Sequence, residues 1–184
     1  ALKQPPVRKP VFVAIDIETT GLSLKKDRII EIGIVFLDDS LSVIDKYETL
    51  INPQIKVKAQ HIHGIYDEDV VDAPTLAQMK KQLEILINNY ILIGHNINDF
   101  DLPRIEAELF RHETTIKSNI ITIDTMDISQ KIYTKYNLKD SCNNAGIEIE
   151  KHHCAISDAI ACSKLLKRFI SDGIYMLNLK ETSS

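Results

Sequence analysis

The sequence predicts an α/β fold: a mixed five-stranded sheet flanked by helices on both faces. Three observations predict it. Three apolar, strand-like runs come first, two short apolar runs then alternate with segments of helical period, and a long amphipathic helix follows. At 184 residues, 44% hydrophobic and 26% charged, the chain suits one domain with an ordinary core.

Residues 1–10 hold three prolines and three cationic side chains and read as an extended linker. The first residue is Ala1, not Met, which fits either a domain cut from a longer chain or a trimmed terminus. The domain is expected over residues 11–171, with 172–184 as a C-terminal tail. Val11 to Ile17 reads as a strand, followed by a turn centred on Gly21. Ile29 to Leu37 and Val43 to Ile51 read as two more, joined by Asp38-Asp39-Ser40. From Asn52 to Pro74 runs a long irregular segment, of the kind that is usually functional in a compact domain.

Leu76, Met79, Leu83, Leu86 and Ile87 recur at helical spacing behind Thr75, a candidate cap. Ile91 to Ile93 is a short buried strand, Leu102 to Phe110 a helix opened by Pro103, and Ile120 to Ile123 the fifth strand. Helices follow near Met126–Tyr133 and Leu138–Ala145, the second closed by Gly146. The final helix, Ile156 to Ile170, is expected to bury Ala159, Ile160, Leu166 and Phe169.

No apolar run approaches the ~18 residues that span a membrane, and the N-terminus has no signal-peptide pattern. Three cysteines without C-x-x-C spacing argue against a disulfide framework or zinc site, and for a reducing, cytoplasmic setting. The net charge of −4 argues against long, tight binding to a nucleic-acid backbone. Two divalent cations held by four carboxylates would leave the remainder neutral, enough for an enzyme that grips only terminal nucleotides.

Three motifs carry chemistry. The first is D-I-E-T-T-G-L, Asp16 to Leu22, at the end of an apolar strand. Residues i and i+2 of a strand share a face, roughly 6.5–7 Å apart, so Asp16 and Glu18 point the same way from a buried element. Such a pair can bracket two cations about 3.5–4 Å apart, as in two-metal phosphoryl transfer. A haloacid-dehalogenase-type phosphatase also starts with an acidic strand, but it needs a second Asp where Glu18 stands. The second motif, G-H-N-I-N-D-F-D-L-P from Gly94 to Pro103, follows a short strand and so lies at the ligand-binding edge of an α/β sheet. Asp101 or Asp99 is its candidate ligand; either alone also suits a helix N-cap. The third, H-H-C-A-I-S-D-A from His152 to Ala159, puts Asp158 in the first turn of the last helix and His153 on the preceding loop, placed to take a proton from water.

Asp16, Glu18, Asp101, His153 and Asp158 together resemble the DEDDh class of 3′-5′ exonucleases, the proofreading epsilon-subunit superfamily. The similarity runs from Val11 to Phe169 and includes Q-H-I-H-G-I, Gln60 to Ile65, which resembles the family's substrate loop. The spacing of the second motif is longer than the common H-N-x-x-F-D, and aligning on Phe100-Asp101 makes Asp101 the ligand. The resemblance implies a ribonuclease-H-like fold, two Mg²⁺ (or Mn²⁺) on Asp16, Glu18, Asp101 and Asp158, His153 as general base, and release of nucleoside monophosphates. It implies also that Thr19 meets the terminal 3′-hydroxyl, that Leu22 and Ile62 wedge the last bases apart, and that His63 and His95 line the pocket. His61, His112 and His152 are read as bystanders. The expected substrate is the 3′ end of a strand, DNA ahead of RNA. Expected settings are fusion or association with a polymerase, a repair protein or a CRISPR integrase. An RNA 3′ exonuclease and an inactive binding module of the same fold are the alternatives; every acid and the base being present argues against the second.

Overall fold

The computed structural model describes residues 9–151 and 153–174, and the backbone of 180–182. The chain runs β1 (Phe12–Thr19), β2 (Ile29–Leu37), β3 (Val43–Leu50), α1 (Gln60–His63), α2 (Asp67–Val70), α3 (Leu76–Asn89), β4 (Ile91–Gly94), α4 (Asp101–Arg111), β5 (Ile120–Asp124), α5 (Thr125–Ile132), α6 (Leu138–Ala145), α7 (Ala155–Ser171) and β6 (Lys180–Thr182). The sheet order is β3-β2-β1-β4-β5-β6. β1, β2 and β3 form an antiparallel meander, β4 and β5 add in parallel to β1, and β6 closes the edge antiparallel to β5.

The five expected strands are present and a sixth joins them. Lys180–Thr182 fall within the expected tail and pair with Ile120–Thr122. A Lys-Glu-Thr tripeptide has no apolar alternation to announce a strand; the unpaired edge of β5 supplies the template. Residues 1–8, most of the expected linker, lie outside the described residues, as does His152. The Asn52–Pro74 segment contains two single-turn helices, α1 and α2.

Alternation along β1 separates two cores. Val13, Ile15 and Ile17 pack with α3 and α4 residues such as Leu83, Ile87 and Leu102. Ala14 packs on the other face with Ala159, Cys162, Leu166 and Phe169 of α7. Ile160 of that helix, expected in the core, is only half-buried. The five apolar residues expected on α3 are all buried, and the Thr75 N–H donates to Gln78 Oε1 at 2.8 Å at its start. Gly146 closes α6 with φ 69°.

The approach of α7 to β2 is set by Gly33. A Cβ there would stand 2.3 Å from the Ala155 carbonyl carbon and from the Ile156 nitrogen. Gly33 sits opposite Asp16 in the β1–β2 register, so this contact fixes the start of α7 directly against the first acidic motif. Gly33→Ala should therefore lift the N-terminus of α7 and cost roughly 1–3 kcal/mol, the usual scale for overpacking, in a urea unfolding titration.

Candidate active site

Asp16 and Glu18 follow Ala14 on the α7 face of β1 by simple period-two geometry. β1 reaches two residues past the expected Ile17, because β2 continues to pair with it through Glu18↔Glu31. α7 brings Asp158 to this face in its first turn, where it is buried. His153 precedes the helix on a turn at φ 56°, and its N–H donates to Asp158 Oδ2 at 3.2 Å. Ligand atoms of Glu18, His153 and Asp158 all lie within 4.8 Å of one another.

Asp101 arrives from another direction. β4 pairs only with Phe12–Ala14, leaving the rest of that β1 edge open. The Ile17 N–H on this edge donates to Asp101 Oδ1 at 3.1 Å. Asp101 is the first residue of α4 and is buried, whereas Asp99 is exposed on the preceding loop.

The electrostatics of the group are those of confined like charge. Burial pushes Asp16 well above the usual carboxylate range, and Asp101, Asp158, Glu18 and Glu31 push it further. Glu18 rises to about 7 through burial, then Asp158 and Glu31. Asp101 rises to about 8, chiefly through burial and with help from Asp124, against the pull of the Ile17 N–H and of Arg104. Carboxylate oxygens are the donors that hard divalent cations such as Mg²⁺ and Mn²⁺ take, so Glu18 and Asp158 fit such an ion, with the His153 imidazole close enough to act beside it.

Three further residues build the site, unnoticed in the sequence. Glu31 Oε2 accepts from the Ala155 N–H at 2.9 Å, tying the first residue of α7 to β2 across the sheet. Gly33 gives α7 its close seat. Asp124, at the end of β5, accepts from the N–H groups of Asn96 (2.8 Å), Asn98 (3.2 Å) and Met126 (2.9 Å). It thereby shapes the Gly94–Phe100 loop, in which Asn96 has φ 72°. An Asp ending an apolar strand was a visible signal for this role. Glu31, inside an apolar strand, was another.

The expected substrate-side residues are divided in their surroundings. Thr19 is buried and its Oγ1 donates to Gly21 O at 2.9 Å. Leu22 is 78% and Ile62 48% exposed. His63 is buried, its Nε2 bonded to Lys58 O (2.9 Å) and its Nδ1 accepting from the Ile65 N–H (3.0 Å), so its ring braces its own loop. His95 is held by Thr125 Oγ1 at Nδ1 (2.9 Å) and Tyr136 O at Nε2 (2.7 Å), and burial lowers its pKa. His61 is exposed and His112 half-buried.

The chain is similar to known proteins in sequence and in fold. Residues 13–166 match the RNase_T family, described as Exonuclease. The chain is 32% identical over 161 residues to the PolC-type DNA polymerase III of Clostridium perfringens, covering 85% of this chain and 11% of that protein. It is 30% identical over 171 residues to the PolC-type polymerase of Bacillus subtilis, covering 90% and 12% respectively. The chain thus spans about a tenth of the length of the curated relatives it matches. Among solved structures, E. coli exonuclease I in complex with a dT13 oligonucleotide superposes with a TM-score of 0.78 at 18% identity, over 91% of this chain and 43% of that one. A 3′-exonuclease solved for 3′-end recognition of a histone mRNA stem-loop gives 0.70 at 16%, over 92% and 84%. The match over residues 13–166, most of the chain, shows that the chain belongs to the RNase_T exonuclease family, and its fold is that of exonuclease I.

Proposed function

We propose that this domain, residues 11–171, removes nucleotides from the 3′ end of DNA, single-stranded or frayed, and releases nucleoside monophosphates. The observation that carries the proposal is the convergence of Glu18, His153 and Asp158 within 4.8 Å, beside an Asp16 crowded by further acids. Asp16, Glu18, Asp101 and Asp158 would hold two Mg²⁺, with Mn²⁺ able to substitute. Bound there, the ions would activate the attacking water and stabilise the leaving 3′-oxygen.

The chain's own residues do the rest. Asp16 would be the ligand common to both ions, and Glu18 and Asp158 would serve the water side. Asp101, one oxygen committed to the Ile17 N–H, would act on the second ion or through an outer shell. His153, on an exposed turn beside them, takes the proton of the attacking water. The Thr19 backbone receives the terminal 3′-hydroxyl, and Leu22 and Ile62 part the last bases. Such apolar wedges are indifferent to base identity, so sequence preference is weak. His63 and His95 shape the pocket from behind through the backbone bonds they already make.

The relatives being polymerases, of which the chain matches about a tenth, supports a proofreading role alongside a polymerase ahead of repair or CRISPR-spacer trimming. The histone mRNA neighbour keeps an RNA reading in play. Digestion of matched 3′-labelled single-stranded DNA, duplex DNA and RNA, with Mg²⁺ and with EDTA, tests the proposal. Mg²⁺-dependent shortening of the DNA strands from the labelled end is the expected result, and shortening of RNA alone would reverse the substrate assignment.

Asp101→Asn should reduce turnover by orders of magnitude and Asp99→Asn only slightly, read in steady-state assays on single-stranded DNA. The reverse order would mean that the wrong carboxylate has been aligned. His153→Ala should lose about 10²–10⁴-fold in turnover, the scale of a general base, while calorimetry finds Mg²⁺ affinity retained. His152→Ala should be nearly silent; a damaging His152 change with a harmless His153 change would move the base by one residue.

A further inference from the structure

The loop between β1 and β2, residues 20–28, carries the exposed Leu22 and is tied together by hydrogen bonds of its own. The Asp27 carboxylate accepts from Thr20 Oγ1 (3.1 Å) and from the Ser23 N–H (2.9 Å). Thr20 in turn accepts from the Arg28 N–H at 3.0 Å, and the Thr20 N–H donates to Arg28 O at 2.9 Å. Gly21 leaves room for this knot, since a Cβ there would stand 2.6 Å from Asp27 Oδ2.

Two arginines of α4 clasp the loop from outside. Arg104, three residues after Asp101, donates from Nη2 to Leu22 O and from Nη1 to Phe100 O, both at 2.9 Å. Its guanidinium carbon sits over the Phe100 ring, 3.7 Å from the centroid. Arg111 donates to Leu24 O and is held by Glu108, a buried acid 3.0 Å from its Nη1. Arg104 is thus pinned at both ends, by the loop and by the residue that precedes Asp101.

We propose that Arg104 is a positioning residue that sets strand specificity: it fixes Leu22 relative to Asp101, so that the enzyme engages only a 3′ end whose last base has been splayed from its neighbour. The inference rests on the exonuclease reading and names a part of its specificity that none of the acids supplies. Only a planar fork can bond both carbonyls and stack on Phe100 at once, so Lys is not an equivalent here. Because Lys keeps the positive charge near Asp101, Arg104→Lys separates the clasp from the electrostatics of the acids.

The test uses the whole chain and two substrates. One is a single-stranded oligonucleotide with 2-aminopurine at its 3′ end; the other is thymidine 5′-monophosphate p-nitrophenyl ester, which has no neighbouring base to part. Arg104→Lys should lower kcat/KM on the oligonucleotide by between about five- and a hundredfold, the worth of one base stack, mainly through KM. Ester hydrolysis should change by no more than about twofold, the tolerance of independent sites. The fluorescence rise of 2-aminopurine on binding in EDTA should also be lost. Leu22→Ala should also lower kcat/KM on the oligonucleotide, and on that substrate the double variant should be no worse than the poorer single one. Equal losses on both substrates, no loss on either, or additive losses in the double variant would overturn the proposal. A wild-type chain that cleaves neither substrate sinks the exonuclease reading instead, and the EDTA fluorescence then still decides the clasp.

Discussion

Like charge confined in low dielectric is the constraint on which this structure turns. Asp16 sits among Asp101, Asp158, Glu18 and Glu31, and each raises its proton affinity on top of the cost of burial. Left alone, such a group would drift apart or take up protons. It is held by backbone anchors instead. The Ile17 N–H fixes Asp101, the His153 N–H meets Asp158, and Glu31 grips the first residue of α7. None of these bonds lies within one element, so the acids converge only when β1, β2, α4 and α7 are all in place.

That dependence explains why the glycines and carbonyls near the site matter as much as the acids. Gly33 admits α7 to the sheet opposite Asp16, and Gly21 admits Asp27 to the loop that bears Leu22. Asp124 gathers three N–H groups to shape the strand exit leading to Asp101. The repulsion in the site is offset by these contacts in its surroundings, the way functional sites that break a local rule persist in a fold.

Much of this was legible in the sequence, for physical reasons that differ by residue. The β1 and α3 patterns follow from alternation and from helical period, and both hold in the structure: Val13, Ile15 and Ile17 in one core, Leu76 to Ile87 in the same one. Asp16 and Glu18 share a face because period two requires it. The tie from Asp101 to Ile17 and the tie from Glu31 to Ala155 link residues 84 and 124 positions apart, and no local pattern encodes them. β6 was invisible because pairing with β5, not composition, makes it a strand. His63 and His95, pocket residues by resemblance, each have both ring nitrogens bonded to nearby protein groups, a detail that spacing cannot show.

The central claim is that this end of the sheet is an acid cluster made to be neutralised by divalent cations, and thermal unfolding against pH tests it most directly. Glu18 and Asp101 have folded-state pKa values raised to about 7 and about 8, from an ordinary value of about 4. The native state then binds protons that the unfolded chain has released, so stability conferred below the ordinary value is lost as pH rises toward 8. In EDTA, Tm should fall between pH 5 and 8.5; with saturating Mg²⁺ it should be higher throughout, and the gain should grow with pH as the ions replace protons. A Tm that holds or rises over that range in EDTA, and that Mg²⁺ leaves unchanged, would contradict the account.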